Sequence, residues 1–145
     1  MVYKKVKLLD IASIERATNK EYSSGVTIVQ VSATRGQVEY VNEAKTIESK
    51  YVVLKPCDEF DSKYFYFAVK NSADEFFYKF QTGLNMKIEE FKHMELDVED
   101  DINIQKEQVK NMEIIERAIL LSEQELSEVK EFKNTMLSKL FVANR

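Results

Sequence analysis

The chain has 145 residues, of which 44% are apolar and 11% aromatic, and it carries a net charge of −4 at pH 7. This composition is sufficient for one domain with a real hydrophobic core, and the longest apolar runs are far shorter than the roughly 20 residues that a membrane span requires. A single cysteine, Cys57, and a single histidine, His93, exclude an internal disulfide and a structural zinc site, and no metal or cofactor is expected.

The N-terminal segment does not have the pattern of a signal peptide. Lys4, Lys5 and Lys7 are followed by an apolar stretch that reaches a charge, Asp10, after only two residues. We therefore expect the protein to remain in the cytoplasm.

The first part of the chain predicts a small sheet. Residues 26–31 and 37–41 are β-branched or alternating runs joined by a short loop, and residues 51–54 form a third run that stops before Pro56. Residues 62–80 are rich in aromatic side chains and predict one or two short helices, with Ser72 or Asp74 as a cap between them. The order helix, strands, helices indicates the α+β class.

The second part predicts one long helix. No Gly or Pro interrupts residues 104–142, and strong helix formers dominate. We assign residues 1–103 to a globular domain and residues 104–145 to a dimerisation helix. A helix of about 39 residues would be about 58 Å long, too long for one small domain to bury.

A heptad seam marks the face of this helix that needs a partner. Ser122 and Lys133 interrupt the seam, and Ile114, Leu121, Phe132 and Leu137 broaden it. The apolar seam residues, our predicted dimerisation residues, are Met112, Ile115, Ile119, Leu126, Val129, Met136 and Leu140.

The negative charge is confined to one segment. Residues 1–87 have 13 basic and 11 acidic side chains, residues 88–103 have one against seven, and residues 104–145 have seven of each. Nothing in the spacing of the acids from Glu89 to Asp101 specifies a metal site, so we interpret them as a solvated linker that points away from any polyanion.

Two polar loops carry groups that could bind a nucleic acid. The first, residues 32–37, lies between two predicted strands, and the second spans residues 79–87. Arginine favours guanine and glutamine favours adenine, and both loops carry groups that contact phosphates. The alternative for the first loop is a solvated hairpin, and the alternative for the second is a plain connection from a helix to a strand. The candidate DNA-binding residues are Ser32, Thr34, Arg35, Gln37, Lys79, Gln81, Thr82, Asn85 and Lys87.

Catalysis has no positive support in the sequence. There is no Gly-rich phosphate loop and no hydrolase or metalloprotease motif. His93 has no nucleophile in view and is expected to be structural, and Asp58 beside Cys57 disfavours its thiolate.

Several segments resemble, in order, the target recognition domain of the specificity subunits of type I restriction-modification systems. These segments are residues 6–12, 32–38, 51–56, 61–66 and 81–85. Residues 104–108 are similar to the glutamine-containing start of the family's long helix, and residues 132–142 resemble its ending. Two features depart from the family: residues 97–101 replace its usual proline-rich stretch, and this chain has one recognition domain and one helix where a full subunit has two of each.

The resemblance implies a half-subunit without catalytic residues. Two copies would pair through antiparallel helices, bind double-stranded DNA, and dock a methyltransferase subunit and through it a restriction subunit. Methyl transfer from S-adenosylmethionine and cleavage would belong to those partners. The alternative is a coiled-coil interaction module that binds protein instead of DNA and modulates a restriction complex.

Overall fold

The computed structural model describes residues 3–143, with side chains as far as residue 141. Residues 1, 2, 144 and 145, which belong to the predicted domain ranges, lie outside the described residues. The chain divides into two compact units, one ending at Gln108 and the other beginning at Val109.

The chain is α+β, as predicted from the sequence. Its strands are β1 (Lys4–Lys7), β2 (Ala12–Arg16), β3 (Glu21–Tyr22), β4 (Thr27–Gln30), β5 (Val38–Tyr40), β6 (Lys45–Thr46), β7 (Tyr51–Pro56) and β8 (Glu95–Val98). Its helices are α1 (Leu8–Ile11), α2 (Ser62–Phe80), a 3₁₀ helix (Ile88–His93) and α3 (Ile102–Ala143). The first elements of the described residues are a strand and a four-residue helix instead of the predicted leading helix.

The central element is an antiparallel four-stranded sheet in the order β2-β7-β4-β5. The three sequence-predicted strands correspond to β4, β5 and β7, whereas β2 was not predicted. Strands β3 and β6 form a separate ribbon, and β1 pairs with β8.

Both faces of the two middle strands are covered, which explains their continuous apolar runs. Helix α2 packs on one face. On the other face a cluster that includes Tyr22 of β3 and Ile47 after β6 packs against Ile28 and Val53. The hydroxyl oxygen of Thr27, inside β4, is buried without a hydrogen-bond partner among the described residues.

Of the predicted one or two short helices there is one, α2, and it is long, with 19 residues; neither Ser72 nor Asp74 caps a second helix. The Asp61 carboxylate caps the start of α2 by accepting hydrogen bonds from the backbone N–H groups of residues 63 and 64. The apolar face continues without interruption through Ala73 to Phe76 and Phe77, and this buried face holds the helix together.

The acidic segment is not a solvated linker, contrary to the sequence interpretation. It forms the 3₁₀ helix and β8, in which Leu96 and Val98 are buried and the acids alternate with them on the exposed side. Strand β1 supplies the opposite charges: Lys5 lies opposite Asp97 in the register. The Lys4 Nζ–Asp100 Oδ2 distance is 2.5 Å, and this contact raises the pKa of Lys4.

The predicted long C-terminal helix is confirmed as α3, with 42 residues. Its first turn is held inside the first unit by Gln105, whose side chain is fully buried. Gln105 Nε2 donates to the Glu99 carbonyl at 2.6 Å, and its Oε1 accepts from the Asp61 backbone N–H at 2.9 Å. The Glu99 N–H in turn donates to the Tyr64 hydroxyl at 2.8 Å, and burial raises the pKa of Tyr64. This ring of hydrogen bonds, here called the Gln105 network, joins α3 to the start of α2 and the end of β8.

Within residues 3–143, none of the helices combines the length and the apolar character needed to cross a bilayer.

Candidate nucleic-acid interface

The candidate interface lies at one end of the four-stranded sheet. Because the strands are antiparallel, β2 and β4 end where β5 and β7 begin: Arg16 pairs with Val52, and Gln30 pairs with Tyr51. The loop of residues 31–37, which joins β4 to β5, is therefore at the same end as the residues that precede β7. We call this the loop end of the sheet.

The loop of residues 31–37 is a tight turn that uses its own polar side chains. The Thr34 hydroxyl donates to Gln37 Oε1 at 2.8 Å and accepts from the Gly36 N–H at 2.9 Å. Gln37 Oε1 also accepts from the Arg35 N–H at 2.9 Å. Ala33 has φ +47°, a left-handed conformation that costs a non-glycine residue about 1–2 kcal/mol.

Gly36 allows this turn to lie directly on α2. Its φ is +89°, and a Cβ atom at this position would lie 3.1 Å from the Phe77 ring. Glycine satisfies both the left-handed backbone and the close approach. The turn is thus fixed to the helix beneath it.

The second polar loop, residues 81–87, is hydrogen-bonded side by side with the first. The Thr34 N–H donates to the Leu84 carbonyl, and the Ala33 N–H donates to Asn85 Oδ1, both at 2.9 Å. Gln81 Nε2 donates to the Thr34 carbonyl at 2.8 Å. The two loops that the sequence singled out separately therefore form one surface.

The structure divides the nine predicted DNA-binding side chains by their exposure. Thr34 is buried, Ser32 and Gln81 are half-buried, and the other six are exposed. Polar side-chain atoms of four of the nine form hydrogen bonds that hold the loops together: those of Thr34, Gln37, Gln81 and Asn85. They therefore build the surface, and the exposed atoms of Arg35, Thr82 and Lys87 are available for an external partner.

Lys79 does not join this group. Its ammonium lies 2.9 Å from Glu75 Oε1, one turn earlier on α2, and this contact lowers the pKa of Glu75. It lines a different cleft of about 380 Å³, together with Lys5 and Asp97. The imidazole of His93 lines the same cleft and stacks on Phe80 with a centroid distance of 5.3 Å.

Two basic residues at the loop end were missed by sequence reasoning. Arg16, the last residue of β2, donates from Nη2 to the Ser32 hydroxyl at 2.9 Å and from Nε to the Ser49 carbonyl. Lys50 accepts the Val31 N–H on its backbone carbonyl, which ties the start of β7 to the first loop. Only the strand pairing brings them beside the loops, and no local sequence pattern signals it.

The loop end therefore combines cations with an open concavity. Its basic residues are all exposed or half-buried; they are Arg16, Arg35, Lys50 and Lys87. A concavity of about 450 Å³ is lined by Thr34, Arg35, Asp74, Phe77, Tyr78, Gln81, Gly83 and Leu84. A guanidinium on a fixed turn can form two parallel hydrogen bonds to a guanine edge or to a phosphate.

The second unit presents the predicted seam to solvent. The seven apolar seam residues have exposed fractions between 39% and 64% in the described chain. So long an exposed apolar stripe on one helix is typical of a surface that binds another helix.

Comparison of this fold with solved structures gives matches to type I restriction-modification systems. The S subunit from M. genitalium matches with a TM-score of 0.68 and 16% identity over 79% of this chain. A chain from a study of complex assembly and conformational transition of the type I R-M system matches with a TM-score of 0.74 and 12% identity over 88%. The HsdS subunit from Thermoanaerobacter tengcongensis matches with a TM-score of 0.63 and 10% identity over 81%.

These matches show that the chain has the fold of type I restriction-modification S subunits. The chain spans about two fifths of the length of each of them, at 39%, 41% and 38%. No protein-family model and no curated protein matches the sequence.

Proposed function

We propose that this chain is a specificity half-subunit of a type I restriction-modification system, which reads DNA with the loop end of its sheet. The observation that carries the proposal is the pairing of two polar loops into one rigid surface, at the basic end of a domain with the S-subunit fold. The chain would act in the cytoplasm without catalytic residues, and methyl transfer and cleavage would reside in partner subunits.

The basic side chains of the loop end would have different roles. Arg35 projects from a turn whose backbone is fixed by hydrogen bonds, which favours a directional contact to a base edge. Lys87 and Lys50 carry flexible ammonium groups that suit phosphates. Arg16 is already bound to Ser32 and Ser49 and would mainly position the loop while adding positive charge.

A retardation assay on target and random duplexes tests this assignment. Arg35→Ala should cost about 1–3 kcal/mol on the target and relax preference at one base position, whereas Lys87→Ala should weaken all duplexes alike and reduce the salt dependence. Lys70→Ala, an exposed position earlier on α2, serves as the control. If affinity shows no salt dependence and none of these variants changes it, the alternative of a protein-binding module is favoured.

We also propose that α3 pairs with α3 of a second copy in antiparallel fashion and that the pair docks the methyltransferase subunit. The exposed seam supports this pairing because an isolated helix would leave that apolar area in water. Ile119→Asp combined with Leu126→Asp should give monomers by light scattering. The control is Gln124→Asp, which adds a charge off the seam, and a wild-type chain that is monomeric at tens of micromolar would refute the pairing.

A two-fold dimer would read two identical half-sites in inverted orientation. We therefore expect a split palindrome whose spacer sequence matters little. Changing the spacer by one base pair rotates one half-site by about 34° and should lower affinity by well over tenfold. Mapping methylated positions in DNA from cells that contain the protein and its methyltransferase tests this, and a non-palindromic motif would indicate pairing with a different half-subunit.

A further inference from the structure

Leu84 is an apolar side chain held in solvent by a fixed backbone. It lies in the second loop and is 74% exposed. Its carbonyl accepts the Thr34 N–H at 2.9 Å, and the next residue, Asn85, accepts the Ala33 N–H on its side chain. The preceding residue, Gly83, has φ +68° with open space around the position of a Cβ atom. The Gly83 carbonyl accepts a hydrogen bond from Gln81 Nε2 at 3.3 Å, so the loop is fixed on both sides of Leu84 while the side chain itself is exposed.

A single exposed leucine is ordinary on a protein surface. Leu84 differs because its backbone is immobilised and because it shares a concavity with the Arg35 guanidinium and with Tyr78, which is 90% exposed. An apolar group presented in this way contributes little to folding. It has the properties of a contact residue, since folding has already fixed its backbone and only its side-chain freedom remains to be lost on binding.

The geometry of the two loops indicates which part of a duplex they fit. Two segments joined side by side by backbone and side-chain hydrogen bonds have about the width of a two-stranded β-ribbon, which the major groove of B-DNA admits. In that groove the bases present hydrogen-bonding groups and one apolar group, the C5 methyl of thymine. Leu84 matches the methyl group, and Arg35 matches a guanine edge.

We propose that Leu84 is a specificity-determining residue that packs against a thymine methyl group next to the base read by Arg35. The inference rests on the proposed DNA-reading function. Leu84 and Arg35 line the same concavity, and successive bases are about 3.4 Å apart along the duplex. The thymine therefore lies within about two base pairs of the position at which Arg35→Ala relaxes preference.

Thymine-to-uracil scanning of a bound duplex tests this contact, because uracil retains the base pairing and lacks only the methyl group. The probe is a duplex selected by the full-length protein from a random-sequence pool. In each half-site, one thymine within two base pairs of the Arg35 position should be sensitive, with a loss of affinity of about three- to tenfold when it becomes uracil. Leu84→Ala should lose a similar factor on the thymine duplex and should bind the thymine and uracil duplexes equally.

Leu9→Ala is the matched control, since Leu9 is also an exposed leucine. It lies on α1, which precedes the first residue of β2, whereas Arg16 at the loop end is the last residue of that strand. This variant should retain the full sensitivity to the methyl group. A selected duplex that is insensitive to uracil at every such position, or equal sensitivity in Leu84→Ala and wild type, would overturn the inference and leave DNA binding intact. Failure to select any duplex would instead overturn the DNA-reading function itself, and this inference with it.

Discussion

Replacing Gln105 by leucine should destabilise the protein strongly, although the two side chains are similar in size. The Gln105 amide is fully buried and makes two hydrogen bonds, to the Glu99 carbonyl and to the Asp61 backbone N–H. Leucine fills the space but leaves both backbone groups without their partner. A buried polar group that loses its partner costs about 1–3 kcal/mol.

The two lost hydrogen bonds should contribute differently to the loss of stability, because they differ in burial. The bond to Glu99 is buried and should approach the upper value, whereas the bond to Asp61 is part-buried and water can replace some of it. The expected loss in the free energy of unfolding is about 2–4 kcal/mol. For a chain of this size that corresponds to a decrease in the melting temperature of about 6–12 °C.

Urea unfolding at one fixed protein concentration measures this loss, with Gln124→Leu as the control because Gln124 is an exposed glutamine on the same helix. Gln105→Glu adds a pH signature. Burial and the adjacent Glu99 carbonyl should raise the pKa of the new carboxyl, so this variant is most stable while that group is protonated and loses stability as pH rises through its pKa. If the free energies of unfolding of Gln105→Leu and of the control differ by less than about 0.5 kcal/mol, the spread usual for surface substitutions, the stabilising role of the network is refuted.

Three further predictions follow from single contacts. Thr27→Val should stabilise the fold by about 1 kcal/mol in urea unfolding, because it removes a buried hydroxyl that has no partner in the described structure; a loss would mean that the hydroxyl is satisfied. Gly36→Ala should cost about 1–3 kcal/mol, because the added methyl meets the Phe77 ring on a left-handed backbone, and an unchanged melting temperature would contradict this. NMR titration should place the pKa of Glu75 below its ordinary value, and Lys79→Met should return it towards that value; an unchanged pKa would show that the ion pair does not form in solution.

Local patterns in the sequence predicted the elements that are continuous and apolar. The β-branched run of residues 26–31 became β4, and the uninterrupted helix formers after residue 104 became α3. Strand β2 was missed because its apolar alternation is only Ala12 and Ile14, too short to stand out. Strand β8 was misread because its acids are conspicuous, while its buried partners Leu96 and Val98 are few.

The sequence predicted the two polar loops of the candidate site, but not that they lie against each other. Both polar loops were identified by their residue types, but the contact between Ala33 and Asn85 spans 52 residues and no local signal encodes it. The same contacts show that Thr34, one of the predicted binding side chains, is buried and holds the loops together instead of facing outward. Residue type identifies groups that could bind a nucleic acid, whereas pairing across the sheet decides which of them remain exposed.

The net charge of −4 does not argue against a polyanionic ligand once the acids are located. The most acidic strand, β8, lies against the lysine-rich β1, with Lys5 opposite Asp97, Lys7 opposite Glu95 and an ion pair between Lys4 and Asp100. Much of its charge is therefore neutralised within the β1–β8 pair and contributes little to a field elsewhere. At the loop end Arg16, Arg35, Lys50 and Lys87 outnumber the acids Glu48, which lies 3.9 Å from the Lys50 ammonium, and Asp74, which lines the concavity. The local balance of charge that DNA would meet is therefore positive, and local charge governs association more than the total does. The affinity of this acidic protein for a duplex should consequently fall with salt as it does for a basic one, in proportion to the phosphates that these residues neutralise.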